Sequence, residues 1–288
     1  MATAAQWLEG ARPRTLPAAI APVAAGTGAA ALASGFVAWK AAFALLVALA
    51  LQVGVNYAND YSDGVRGTDA DRVGPLRLVG SGAARAAVVR NAALASFAVA
   101  GVAGLALALT TAWWLLLVGA SCVVAAWFYT GGARPYGYRG LGELAVFVFF
   151  GLVATVGTTF VQAEAITAVS VLAGVGCGAL ACALLVANNL RDLETDRVAG
   201  KRTLAVRLGD RRTRWFYTVL LVAAFVALGW IAAIHRPALA VLVTALPAAG
   251  CARTVLGGAR GRDLVPVLKM TGSVLLLYGG LLGAALSL

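Results

Sequence analysis

Apolar residues run along this 288-residue chain in long blocks separated by short polar stretches. Nine blocks approach the ~20 residues that cross a bilayer as helix. They predict helices near 15–34, 39–58, 88–110, 112–130, 141–161, 165–189, 214–234, 237–256 and 265–287. Most connections are short, but two are long, at about 59–87 and 190–213. Each follows an even-numbered helix whose end turns from apolar to Asn and Asp, which reads as a weak internal repeat with one acidic ridge from each half. Gly and Ala fill the blocks, with 34 glycines in all, so the helices can approach closely without large side chains. The pattern predicts an all-α integral membrane protein: one polytopic domain over 1–288, a nine-helix bundle around a central cavity.

Composition agrees, with a mean hydropathy of +0.87 and only 12% charged residues, which excludes an ordinary soluble domain. A net charge of +11 would point to nucleic acid in a soluble chain, but its placement argues against that partner. With the N-terminus in the cytoplasm, 21 of the 23 Lys and Arg residues fall on the inner side, and only Lys40 and Arg236 on the other. This positive-inside asymmetry puts both long loops in the cytoplasm. There, beside anionic headgroups, each basic residue gains about 1 kcal/mol of attraction. The preference for Ala, Gly and Arg over Ile and Lys fits a GC-rich bacterial genome, and the expected location is a bacterial plasma membrane. No short apolar core with a cleavage site precedes the first block. Cys122, Cys177, Cys182 and Cys251 all lie in apolar blocks and read as small hydrophobes. The single histidine, His235, falls in a short external loop.

The chemistry gathers at two points. One reads Asn56-Tyr-Ala-Asn59-Asp60-Tyr-Ser-Asp63-Gly-Val-Arg-Gly67-Thr68-Asp69, and the other Asn188-Asn189-Leu-Arg191-Asp192-Leu-Glu-Thr-Asp196. With Asp71 and Glu194 they hold 7 of the 12 acidic residues. On a helix, Asn56, Asp60 and Asp63 fall at i, i+4 and i+7, and Asn188, Asp192 and Asp196 at i, i+4 and i+8, so each set is expected on one face. Acid near a helix C-terminus opposes the macrodipole, so it needs a compensating cation. Two facing ridges of carboxylates and amides suit Mg²⁺, which keeps some waters and takes further ligands from substrate phosphates. Lys201 and Arg202, just beyond the second cluster, suit diphosphate oxygens. The plain alternative is a polar helix end with surface ion pairs between Asp192 and Arg191 or Arg197.

These residues resemble the two aspartate-rich motifs of the UbiA superfamily of intramembrane aromatic prenyltransferases. Arg12-Pro13-Arg14-Thr15-Leu16-Pro17, Tyr129-Thr130-Gly131-Gly132 and Tyr138-Arg139-Gly140-Leu141-Gly142-Glu143 are similar to its 1,4-dihydroxy-2-naphthoate branch. The likeness runs from about Arg12 to Gly209 and leaves the last three helices as plain apolar spans. In one departure from the commonest pattern, Gly67 stands where a third Asp often sits, and Asp69 comes two residues later. The resemblance implies Mg²⁺-dependent transfer of a polyprenyl group from polyprenyl diphosphate to 1,4-dihydroxy-2-naphthoate, with loss of the ring carboxylate, giving demethylmenaquinone.

On that reading Asp60, Asp63, Asp192 and Asp196 hold two Mg²⁺ bridged by the diphosphate, assisted by Asn56, Asn59 and Asn188. Which of Asp60, Asp63 and Asp69 touch metal is left open. Lys201, Arg72 and Arg77 are expected on the diphosphate, with Arg191 and Arg202 in the same substrate-binding set. Arg14 or Arg139 is expected on the acceptor carboxylate, and Tyr138 or Glu143 on a ring hydroxyl. Tyr57, Trp127, Phe128 and Tyr129 are candidates to face an allylic cation, or else interfacial aromatics. A long isoprenoid tail requires a cavity that opens sideways to the bilayer. The alternatives are a sister enzyme using another acceptor such as 4-hydroxybenzoate, and a secondary transporter, whose binding groups would sit nearer the bilayer midplane.

Overall fold

The computed structural model describes residues 2–67 and 76–288, among which every regular element is helical. In chain order the helices are α1 (Ala4–Gly10), α2 (Pro17–Leu32), α3 (Ala38–Arg66), α4 (Ala86–Leu109), α5 (Leu115–Phe128) and α6 (Gly142–Ala163). They continue with α7 (Ala168–Arg191), α8 (Leu193–Val198), α9 (Leu204–Leu208), α10 (Asp210–Ile234), α11 (Arg236–Leu256) and α12 (Leu264–Leu286). By length and composition seven helices among the described residues can cross a membrane, and the chain is a multi-pass membrane protein.

All nine expected segments coincide with helices, but two are shorter than a full span. α2 has 16 residues and α5 has 14, against the ~20 a straight span needs. α2 starts late because the chain bends by 51° between Ala4–Thr15 and Pro17–Leu32. α5 stops at Phe128 because the following turn carries Gly132 at φ 75°. In the other direction α3 runs past the expected boundary at 58 to Arg66, so Asn59, Asp60 and Asp63 are helical. It closes on Gly67 at φ 70°, a left-handed cap that an aspartate adopts only at a cost. That cap gives Gly67 a structural reason to stand in the motif.

α7 is the axis of the bundle: 72% of its apolar window is buried, against 22–44% in the other six spans. Around it α2, α10 and α12 form the main core, with Tyr217 and Tyr278 fully buried. Small residues allow the close approach. A Cβ on Gly28 would lie 2.3 Å from the Gly283 carbonyl oxygen, and one on Gly151 2.6 Å from Gly178 Cα. α3, α4 and α5 form a second group, and α5 carries no buried residue. The four cysteines are free thiols, three of them buried, with Cys122 half-buried. His235 bonds the Ala285 carbonyl through Nε2 at 2.9 Å.

Candidate active site

Between the two groups lies a cavity of about 1320 Å³, apolar over most of its wall and charged at one end. α3 contributes a stripe of Gln52, Asn56, Asn59 and Asp63. At 100° per residue these four fall within about 60° of arc, and Asp60 lies about 40° outside it. The expected ridge of Asn56, Asp60 and Asp63 is thus rotated, with Asn59 on the cavity side in place of Asp60. Asp60 is buried away from the cavity, and its carboxylate accepts the backbone N–H of Leu78 at 2.8 Å and of Val79 at 3.0 Å.

The second motif is not one continuous ridge. α7 ends at Arg191, Asp192 takes φ −94° and ψ 9°, and Asp196 rides on the short helix α8. The i to i+4 bond nevertheless survives the break, from Asp196 N–H to Asp192 O at 2.8 Å. Asp192 is buried and paired side-on with Arg191, at 2.6 Å to Nε and 2.7 Å to an Nη. The same guanidinium donates to Asn188 Oδ1 at 2.8 Å. Asn188, Asn189, Arg191 and Asp196 line the cavity, and Asp192 does not.

Lys201 joins the two halves. Its backbone N–H donates to the Asp196 carbonyl at 2.9 Å, and its ammonium lies 3.9 Å from Asp63 Oδ2. Arg77 is 3.7 Å from the same oxygen. Tyr138 donates its hydroxyl to Asp63 Oδ1, and its ring lies 4.8 Å under the Lys201 ammonium. Asp63 is 3% exposed and Lys201 7%, so this charge cluster is largely withdrawn from bulk water, where electrostatic interactions strengthen.

The other motifs are docked onto this end. Asn56 donates to the Ala11 carbonyl and to Thr15 Oγ1, both at 2.9 Å, and Gln52 also donates to Thr15 Oγ1 at 2.8 Å. These bonds hold the Arg12–Thr15 corner, whose Arg12 sits at φ 54°, and leave Asn56 a bracket as much as a substrate contact. Arg14 lines the cavity. The Tyr129–Gly132 turn is held by Thr130, which donates to Asn59 Oδ1 at 2.7 Å, and by Arg66, which donates to the Thr130 and Gly132 carbonyls.

Several expected site residues lie elsewhere. Glu143 is buried behind the wall and accepts from Asn189 Nδ2 at 2.9 Å. Arg139 and Arg202 face a separate cleft. Asp69 and Arg72 lie outside the described residues. Of the four expected aromatics only Tyr129 lines the cavity. Tyr57 packs edge-on against Trp7 and bonds its carbonyl, Trp127 packs on Tyr61, and Phe128 is exposed.

Tyr136, Phe149 and Phe150 line the cavity unforeseen. Phe149 and Phe150 sit on a π-helical stretch, Phe147–Val153, a widened turn of the kind found at functional sites. Burial, then the charge of Glu143, pushes the Tyr129 hydroxyl far above the ordinary phenol range, and burial takes Tyr136 up to about 12. Both rings are therefore neutral at neutral pH. Arg262 and Lys269, at the start of the last helix, also reach the cavity. A lone Arg and Lys at the edge of an apolar block were the only signal for them.

Among the described residues no cluster of three or more His, Cys, Asp and Glu could chelate a metal by itself. Hard oxygens at the cavity's charged end include the carboxylates of Asp63, Asp196 and Glu9 and the amides of Asn59 and Asn188. Such a set fits Mg²⁺, which commonly takes one or two carboxylates and completes its shell with water and substrate phosphate.

An amphipathic cavity inside an α-helical bundle, with acids from two motifs at its charged end, defines an intramembrane enzyme for lipid-like substrates. The profile of the UbiA prenyltransferase family matches residues 19–284, and the chain belongs to that family. It is 56% identical over 288 residues to the 1,4-dihydroxy-2-naphthoate octaprenyltransferase of Mycobacterium tuberculosis, covering 100% of this chain and 98% of the relative. The fold is similar to the apo structure of a UbiA homolog from Aeropyrum pernix K1, with a TM-score of 0.71 at 17% identity over 92% of this chain and 96% of that one. A UbiA homolog from Archaeoglobus fulgidus bound to GPP and Mg²⁺ gives 0.61 at 14% identity over 98% and 100%.

Proposed function

We propose that the chain transfers a polyprenyl group from polyprenyl diphosphate to 1,4-dihydroxy-2-naphthoate, in a Mg²⁺-dependent reaction with decarboxylation that yields demethylmenaquinone. The observation that carries this reading is the cavity itself: one end joins Asp63 and Asp196 to Lys201, Arg77 and Arg191, and the rest is apolar and aromatic. It matches a substrate with a diphosphate head and a hydrocarbon tail. The full-length likeness to a mycobacterial enzyme of that name supports the naphthoate acceptor over a benzoate.

In the reaction the allylic carbon–oxygen bond breaks and its electron pair leaves with diphosphate. The naphthoate ring supplies the pair for the new carbon–carbon bond, and its carboxylate leaves as CO₂. Lys201, Arg77 and Arg191 stabilise charge developing on the leaving group from a partly desolvated position. Asp63 and Asp196, with Asn59 and Asn188, would hold two Mg²⁺, while Asp60 and Asp192 fix the elements behind them. Bound there, the ions would supply further Lewis-acid stabilisation of the leaving group. Tyr129, Tyr136, Phe149 and Phe150 offer neutral π faces to the allylic cation, and the apolar wall excludes water that would quench it.

Tyr138 acts on Asp63, and Glu143 acts through Asn189. Arg14, which lines the cavity as Lys269 does, is placed to take the acceptor carboxylate. The N-terminus and the charged end face the cytoplasm of a bacterial plasma membrane.

The test is mass spectrometry of the lipids formed by the purified protein from a polyprenyl diphosphate and a choice of naphthoate and benzoate acceptors, with Mg²⁺ or EDTA. A decarboxylated prenyl-naphthoquinol that vanishes with EDTA is the expected result. A prenylated benzoate would move the acceptor, and no product with either would overturn the reading.

A further inference from the structure

On the far side of Tyr138 from the cavity lies a second concavity, of about 440 Å³, walled by Arg134, Arg139, Arg202 and Arg207 together with Tyr138 and Gly200. The volume is within the roughly 300–1,000 Å³ of small-ligand sites. All four arginines are exposed, and among the described residues no carboxylate lines the cleft. Three other arginines at this end of the bundle are paired with acids: Arg191 with Asp192, Arg197 with Glu194, Arg214 with Asp210. Among the described residues none of the four cleft arginines makes an ion pair.

The cleft is also built. Arg202 N–H donates to the Tyr138 carbonyl at 2.9 Å, tying the 136–139 turn to the segment after α8. Gly140, at φ 73°, closes that turn, and a Cβ there would lie 3.0 Å from both Cδ and Nε of Arg207. Without a side chain at 140, Arg207 can lie across the turn and join the others. Four like charges held in one concavity repel each other, and a multivalent anion relieves that repulsion.

We propose that this cleft is a second anion site, which takes a phosphate-bearing group without metal. Guanidinium forks match phosphate oxygens in pairs. Its described lining, free of carboxylates, separates it from the charged end of the cavity, where a diphosphate would meet Asp63 and Asp196 through an ion. Free inorganic diphosphate and the headgroup of an anionic phospholipid present the same chemistry, and both reach this end of a membrane bundle. The inference stands on the cleft alone and does not depend on the acceptor or the reaction proposed above.

The test uses the full-length protein and its Arg134→Gln/Arg207→Gln variant. In phosphatidylcholine nanodiscs with EDTA, inorganic diphosphate is titrated calorimetrically; in a parallel arm, native mass spectrometry counts phosphatidylglycerol and cardiolipin retained from detergent. Loss of the two guanidiniums is expected to weaken one of these by at least about tenfold, the size of one lost charge-assisted pair. A loss confined to diphosphate identifies a free anion, and a loss confined to retained phospholipid identifies a headgroup. Equal behaviour of wild type and variant in both arms would overturn the proposal. An Arg134→Lys/Arg207→Lys variant keeps the charge without the fork and should retain part of the binding, which separates anion recognition from a folding defect. Should the glutamine pair not fold, Arg134→Gln alone is judged by the same criterion.

Discussion

Asp60 and Asp192 occupy the same place in their motifs, four residues after Asn56 and Asn188, and both are withdrawn from the cavity by different means. In the first half the helix is unbroken through Arg66, and its rotation turns Asp60 outward onto the backbone N–H groups of Leu78 and Val79. In the second half Asp192 keeps its helical bond to Asn188, N–H to carbonyl at 3.1 Å, and the helix ends on it. Its side chain turns onto the Arg191 guanidinium. Among the described residues the outcome is shared: Asp63 and Asp196 face the cavity, and Asp60 and Asp192 each hold a neighbouring element in place. Asp60 secures the segment carrying Arg77, and Asp192 orients Arg191, so each buried acid positions a cation.

The sharpest way to break this comparison is to neutralise all four acids one at a time. Asp63→Asn and Asp196→Asn are expected to lower kcat by about 10²–10³-fold in saturating Mg²⁺, the scale for losing a group that acts on developing charge. Lys201→Ala should follow with about a hundredfold loss, and Lys201→Arg should recover part of it because the charge returns without the same reach. Asp60→Asn and Asp192→Asn are expected to lose only about tenfold in kcat.

Asp60→Asn should also lower the thermal unfolding temperature, since an amide has one oxygen for two N–H donors and an unsatisfied buried donor costs about 1–3 kcal/mol. If Asp60→Asn proved as inactive as Asp63→Asn at unchanged stability, Asp60 would itself belong to the reacting group. The smallest effect is expected for Tyr138→Phe, a loss of roughly threefold to tenfold, about one hydrogen bond of Asp63. Steady-state product formation with each purified variant checks the series.

The residue types at the charged end were legible, but their orientation was not. Helical spacing correctly put Asn56 and Asp63 on one face, yet the spacing tolerated Asp60 there as well. About 40° of rotation separates it from the stripe that faces the cavity, and that angle depends on packing against α4 and on the segment at Leu78. The aromatics failed for a related reason. Tyr57, Trp127 and Phe128 lie close in sequence to the motifs, while Phe149 and Phe150 lie on a π-helical stretch whose register no apolar period reveals. Arg139 and Arg202 carry the right charge for a phosphate but face the neighbouring cleft. Lys269 comes from a segment that read as plain span, and Arg262 from the loop just before it.

By itself the sequence determined the membrane class, the helical segments, the two acid-rich helix ends and the kind of chemistry they serve. Those follow from local quantities: apolar length, which water and lipid enforce residue by residue, and charge, which a bilayer concentrates at helix ends. Only the tertiary structure decided which carboxylates face the cavity, which arginines share it and which gather outside it. Those depend on the rotation of each helix and the docking of each turn, which are set by packing between residues such as Asp63 and Lys201 that stand far apart in the chain.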